Sequence, residues 1–497
     1  MDQILILQIS STIGYVDLAV VIAALGLLFI IAYITGRKEE DTSDFFLGKR
    51  SVPAAIACLS FVATEVSAVT ITSVPATGYS ENLQYLQFFV GSAAARIFVA
   101  FLFIPVFYKY NCTSIYEFLR HRFGPQTQYA GSVFFFITRL VGSGVRLYAA
   151  CLAVAIIMGW SLGQTLLLFT VVSIIMVAFG GIKAVVWTGA YETVLFYLTG
   201  AGLIVYLFSQ VHGGLAEVWR IAGQAGRLSL FNFNLNLNDP TTFWAGTANA
   251  FFIGLAIFGA DQELVQRLLT VDTRKSSQRA IISTIFASLP LVCIYLFIGT
   301  LLFVFYKQNP QFTKPTQVKE VLSNFTANVL PAGLKGLVLA AIILASIDSP
   351  LSSLSSSFVT DIYRPLINRS AAEKHYLFVS RVAVVCFGVI LALIAFACQP
   401  VQSILWFAFQ IVSVTGGAAL GIFLLGILTN CKSNRTNIIA MTVSTIAMAV
   451  ILILSERGAI TLAWSWLIAI GTITTFALGY LLSLIKRPTN PLPKTNF

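Results

Sequence analysis

The sequence predicts an all-α polytopic membrane protein with about 13 transmembrane helices, and three observations carry that expectation. The 497 residues are 57% hydrophobic and only 10% charged, with a mean hydropathy of +0.85, which is far from the composition of a soluble domain. Apolar runs long enough to cross a hydrocarbon core of roughly 30 Å fall near 15–35, 52–78, 84–108, 129–158, 160–180, 185–209, 241–265, 280–305, 332–360, 376–398, 402–428, 436–454 and 459–485. The basic residues divide unevenly between the connections. Of 31 lysines and arginines, 21 fall on one side and seven (Arg220, Arg227, Lys307, Lys314, Lys319, Lys335, Arg457) on the other, with Arg96, Arg139 and Arg146 inside predicted spans. By the positive-inside rule the N-terminus is expected outside and the C-terminus in the cytoplasm, in a plasma (inner) membrane.

The formal charge of +11 therefore marks a membrane face, and no nucleic-acid partner is expected. Seven cysteines lie scattered without metal-ligand or paired spacing. The first apolar run lacks a basic start and a small-residue cleavage site, so no cleavable signal is expected.

Taken in order, the first run (15–35) is apolar throughout and reads as a peripheral anchor. The second is different: Thr64, Glu65, Ser67, Thr70, Thr72 and Ser73 place a carboxylate and hydroxyls in what should be hydrocarbon. Ser and Thr compete for backbone bonds, which predicts an unwound turn near residues 63–67. Glu65 is read either as functional or as a carboxylate held by a Ser, Thr or Arg neighbour. The connection 110–124 predicts a short amphipathic helix capped by Thr113 or Ser114, with Glu117 at its third position. Arg139 and Arg146, seven apart, share a helix face and could match an anionic solute or pair with Glu65, Glu192 or Asp348. Gly180-Gly181 permits a tight turn before Trp187 and Glu192. Asp261-Gln262-Glu263 ends the seventh run abruptly, with Glu263 and Arg267 spaced for i,i+4 support. In the run 332–360, Ser346, Ser349, Ser353 and Ser356 share a face around Asp348. Pro350 cannot donate to the carbonyl of Ser346. An ionisable group in a span is a functional hypothesis by default, so this face reads as an oxygen cradle for a small cation, with a Ser-rich helix seam as the bland alternative. Gln410, Ser413 and Thr415 precede a glycine-rich stretch in the eleventh run.

There is no phosphate-binding loop, no HExxH and no nucleophile triad, so an enzyme is not expected, and transport energy must come from an ion or solute gradient. Taken together, Gly180-Gly181-Ile182-Lys183-Ala184-Val185-Val186-Trp187-Thr188, Asp261-Gln262-x-x-Val265-Gln266-Arg267, Phe358-Val359-Thr360-Asp361-Ile362-Tyr363 and Phe423-Leu424-Leu425-Gly426 make the chain resemble the sodium:solute symporters over essentially its whole length. The resemblance implies a LeuT-like core of two inverted five-helix repeats. The expected division is 1–50 (peripheral helix and cytoplasmic linker), 51–210 (first repeat), 211–240 (extracellular loop), 241–429 (second repeat) and 430–497 (two peripheral helices and a short cytoplasmic tail). It also implies a sodium site at the carbonyls of Ala63, Val66 and Ile342 and the positions Ala345 and Ser346, with substrate at the midplane beside broken helices. Two departures stand out. Ala345 replaces a usual hydroxyl, and Gly189 stands where many members carry Asp. Asp348, with Ser349 and Glu65, is therefore a candidate for a second cation or a proton.

The resemblance implies sodium-coupled import of a small organic solute by alternating access. Arg146 favours a carboxylate-bearing solute, with a sugar as the other option. Substrate candidates are Arg146, Ser67, Gln410 and Glu192. No cofactor is expected beyond sodium as the coupling ion, the partners are the solute and the lipid bilayer, and a monomer is the expected state. The alternatives are a proton-coupled or uncoupled facilitator or channel, for which no selectivity loop or charge ring is present, and a membrane sensory module. Asp348→Asn is expected to alter the cation dependence of uptake in liposomes; unchanged dependence removes Asp348 from the coupling site.

Overall fold

A span has no water for its amides, so each apolar run must close its own backbone bonds as helix. The computed structural model describes residues 13–36, 42–236, 238–312, 314–347, 350–399 and 404–485. Asp348 and Ser349 lie outside the described residues. Among the described residues the regular structure is helical, with ten helices long and apolar enough to span, two further spans bent by 58° and 57°, and a shorter apolar helix, Leu162–Val177. These correspond to the thirteen segments expected.

Both bends fall where polar residues interrupt an apolar run. The first separates α2 (Ala54–Glu65) from α3 (Ala68–Ser80). Val66 leaves the helical region at ψ 76° and Ser67 is extended, so the unwinding expected around 63–67 is present. The last amide bond of α2 runs from Val66 N to Val62 O, and α3 starts with Thr70 N and Ile71 N on Ser67 O. The carbonyls of Ala63 and Val66 therefore accept no main-chain amide among the described residues.

The second bend lies between α7 (Phe243–Gly259) and α8 (Gln262–Leu269). Asp261, read from the sequence as a stop, is instead the N-cap of α8, its carboxylate accepting from Glu263 N at 2.9 Å. Every residue of α8 is buried, which is how so polar a helix survives at this depth. The 49-residue helix Leu162–Gln210 is broken at Gly181, whose φ of 50° and ψ of −170° suit glycine.

Two local expectations change. Glu117 does reach back to the amides of Thr113 and Ser114 (2.7 and 3.3 Å), but the N-cap of helix Tyr116–Arg122 is Ile115, which makes no side-chain cap bond. The first span, α1 (Tyr15–Thr35), is more than an anchor. Its Asp17 is 2% exposed, and Oδ1 accepts from Gly333 N and Gly336 N, both at 2.8 Å, at the start of the helix Leu334–Ile347 (α10). A carboxylate there satisfies orphan amides and the positive helix end together. The backbones touch: a Cβ on Gly336 would meet the main chain of Asp17 at 2.6 Å. Asp17→Ala strands these buried donors at about 1–3 kcal/mol, so it is expected to lower the melting temperature in detergent, with Asp17→Asn losing less.

Candidate functional site

The broken spans, α4 (Phe88–Phe98) and α5 (Pro125–Met158) enclose a cavity of about 220 Å³. Its walls are mostly apolar, with Tyr85, Phe88, Phe89, Phe135, Phe258 and Phe409 prominent. At one end Tyr85 stacks on Phe88 (centroids 5.9 Å apart), and Phe409 packs on Phe88 and Trp464 at 6.3 and 6.2 Å.

Three arginines reach this region, and their partners differ. Arg96 is fully buried and forks onto both oxygens of Glu65 at the end of α2. Its Nε donates to Thr284 Oγ1 at 2.9 Å and its Nη1 to Ser92 Oγ at 2.5 Å, and its guanidinium lies 4.4 Å from the Phe258 ring centroid. Ser288 Oγ donates to Glu65 Oε2 at 2.7 Å. Arg139 is 6% exposed. It binds Asp261 at 2.5 Å and also Glu263, the two carboxylates at the second bend. Arg146 makes a different contact: its Nη1 donates to the carbonyl of Thr64 at 3.4 Å, and it has no carboxylate partner among the described residues.

These pairs revise several sequence expectations. Glu65, a cation candidate, is held by Arg96. The side chain of Glu263 goes to Arg139, while Arg267 bonds its main-chain carbonyl at 2.7 Å and Ser60 Oγ at 3.2 Å, so the expected Glu263–Arg267 side-chain pair gives way to these contacts. The rest of the motif is anchoring: Gln262 takes Ile115 N and gives to Thr113 O, and Gln266 gives to Phe46 O. Of the substrate candidates, Arg146 and Ser67 line the main cavity. Gln410 does not, because its amide is turned to Glu456 Oε1 at 3.1 Å. Glu192 is buried at 1% and lines neither this cavity nor the smaller one described next.

A second, small cavity of about 40 Å³ lies beside the first bend. Ala63, Ala345 and Ser346 line it together with Ser67, Ser143, Arg146, Thr170 and Glu263. Ile342 is fully buried one turn before Ser346 on α10. The serines of this span divide, and Ser356 Oγ is buried without a partner among the described residues. Ser353 donates to Pro350 O at 2.9 Å and Ser355 to Ser380 O at 2.9 Å. Ser357 donates to Asp361 at 2.6 Å, a fully buried carboxylate that also takes Ser114, Gln128 and Ser132. Ser346 Oγ is buried with no hydrogen-bond partner among the described residues. Gly189 packs on α2, and a Cβ there would meet Ser60 Oγ at 2.7 Å, so no larger residue fits without movement.

Two broken spans facing a buried polar-ended cavity define a membrane secondary transporter. The model of the sodium:solute symporter family matches residues 45–444, and the chain belongs to that family. As a member it is a multi-pass membrane symporter that couples solute movement to sodium. It is similar to the sodium/sialic acid symporter SiaT of Proteus mirabilis (27% identical, covering 96% of this chain and 97% of that one). It is likewise similar to the sodium-dependent multivitamin transporter of Oryctolagus cuniculus (30% identical, 86% and 68%). The structure of a substrate-bound, outward-open Na+-coupled sialic acid symporter superposes with a TM-score of 0.87 at 26% identity, over 97% of this chain and 100% of that one. The nucleobase-cation-symport-1 family transporter Mhp1 superposes at 0.57 with 14% identity, over 90% and 95%, and shares the fold, which is LeuT-like.

The Arg96–Glu65 pair generates a stability prediction. Arg96→Met leaves a mostly buried carboxylate uncompensated, a change that costs about 3–5 kcal/mol for buried pairs. Arg96→Met with Glu65→Gln is expected to recover much of the loss in a thermal-unfolding assay.

Proposed function

We propose that this chain imports a carboxylate-bearing organic solute with sodium, and that Arg146 holds the carboxylate. One observation carries this: of Arg96, Arg139 and Arg146, the first two are neutralised at the helix breaks, and Arg146 faces the main cavity with a carbonyl as its one hydrogen-bond partner among the described residues. A lone guanidinium at membrane depth is costly and matches a carboxylate through paired hydrogen bonds. The rest of the cavity favours a mostly apolar body over a sugar. Ser92 is engaged by Arg96, Thr138 by the carbonyl of Phe134 and Tyr116 by the carbonyl of Ala260, leaving Ser67, Thr70 and Tyr85 as the lining hydroxyls available to a solute. Relatives named for sialic acid and for monocarboxylates are consistent with an acidic substrate.

Sodium is assigned to the first bend, with the carbonyls of Ala63, Val66 and Ile342 and the hydroxyl of Ser346 as ligands; Ala345 contributes no side-chain oxygen. The free carbonyls of Ala63 and Val66 support this reading. The two inverted repeats, 51–210 and 241–429, each open on a bent span, which fits alternating access with the N-terminus outside. Ion binding drives the cycle only through unequal affinity for the two end states.

In liposomes, a panel of monocarboxylates and sialic acid taken up with and without a sodium gradient identifies the substrate class. Arg146→Gln is expected to lower carboxylate uptake efficiency by about 30-fold or more, the scale of an unpaired buried charge, with Arg146→Lys recovering part. Carboxylate uptake by Arg146→Gln equal to wild type overturns the assignment. Ser346→Ala is expected to raise half-saturating sodium about tenfold, close to one hydrogen bond to a charged group.

A further inference from the structure

We infer that the sodium site extends across the small cavity to α5 and to the helix Leu162–Val177, with Ser143 and Thr170 supplying hydroxyl ligands opposite Ser346. The inference rests on the assignment of sodium to the first bend.

Three hydroxyls in the wall of one small cavity, Ser143 Oγ, Thr170 Oγ1 and Ser346 Oγ, are each buried with no hydrogen-bond partner among the described residues. Ser143 is only 4% exposed. Ser and Thr hydroxyls in spans ordinarily donate to the carbonyl three or four residues back, and this chain does so often: Thr64 to Ser60, Thr72 to Ala68, Thr138 to Phe134, Thr188 to Ala184. Other buried hydroxyls of the chain, such as Thr199 and Thr300, lack this bond too, but these three gather in the wall of one void, where each unsatisfied hydroxyl costs about 1–3 kcal/mol. A bound species that uses the hydroxyl oxygens removes the cost.

The chemistry of the wall selects the species. The void of about 40 Å³ has room for a small ion or about two waters. Its oxygens are hydroxyls, with the free carbonyl of Ala63 in the same wall. Hard cations without directional bonding demands take such oxygens. Two charged side chains face it. Glu263 is already bound to Arg139, and Arg146 stands in the wall of both cavities. With the main cavity empty, the Arg146 guanidinium disfavours a cation; once a solute carboxylate neutralises it, that repulsion falls. Sodium and carboxylate therefore favour one another through Arg146, and the coupling is reciprocal.

The test measures sodium dependence of uptake, and sodium-induced thermal shift, for Ser143→Ala and Thr170→Val in the full-length protein in liposomes and detergent. Each is expected to raise half-saturating sodium about fivefold and to alter the preference for sodium over lithium, while solute affinity at saturating sodium stays within about twofold. Half-saturating sodium unchanged in both variants, with Ser346→Ala shifted, overturns the extended ligand set and leaves the site at the bend intact. No shift in Ser346→Ala either overturns the assignment at the bend itself. The thermal shift reads ion binding directly, so a variant with poor transport still reports on its sodium affinity. If sodium raises the melting temperature of both variants as much and at the same concentrations as wild type, the inference fails.

Discussion

A charge placed in hydrocarbon must be neutralised or must serve a ligand, and that constraint organises the centre of this transporter. Each of the two bends lies beside a carboxylate paired with an arginine from another helix: Glu65 with Arg96, and Asp261 and Glu263 with Arg139. Breaking a helix in a membrane frees backbone groups and invites water. The pairs sit where they can hold the severed ends, and removing one partner alone leaves a buried charge that nothing else compensates. The walls of the cavity depend on these bends, and so does the exposure of the Ala63 and Val66 carbonyls.

Much of this was legible before any coordinates. The spans follow from hydropathy, and the first break from hydroxyls crowding around Glu65. What the sequence hid is pairing. Arg96 meets Glu65 across 31 positions, and Arg139 meets Asp261 and Glu263 across more than a hundred; no local pattern encodes such distances. The second bend was concealed for a related reason. Asp261 looks like the end of a span because a polar run seldom continues at depth, yet α8 continues because protein, and not lipid, surrounds it. Gln410 illustrates the opposite error: a polar residue in an apolar run suggests a lining, but Glu456, 46 positions on, takes its amide.

The remaining polar side chains divide by whether they already have partners. Asp361 is fully buried and receives four neutral donors from Ser114, Gln128, Ser132 and Ser357, so it ties the helix Tyr116–Arg122 and α5 to the end of the Ser-rich span. On the Ser-rich face, Ser353 is spent on Pro350 O, while Ser346 and Ser356 keep buried hydroxyls without a partner among the described residues. What is left unspent, Arg146 on one side and a few hydroxyls on the other, is where an anion and a cation find unmet chemistry.

Asp17 carries a consequence for how the chain is made. Its acceptors' partners, the amides of Gly333 and Gly336, lie 316 and 319 positions later. A membrane protein is inserted from its N-terminal side, so α1 enters the bilayer with a carboxylate whose Oδ2 has a local bond from Gly14 N at 3.2 Å but whose Oδ1 waits for those later amides. During that interval the acid is best accommodated near the headgroups or protonated. The final contacts of α1 thus wait on α10, the helix bearing Ile342 and Ser346, so an early helix and a late one settle together.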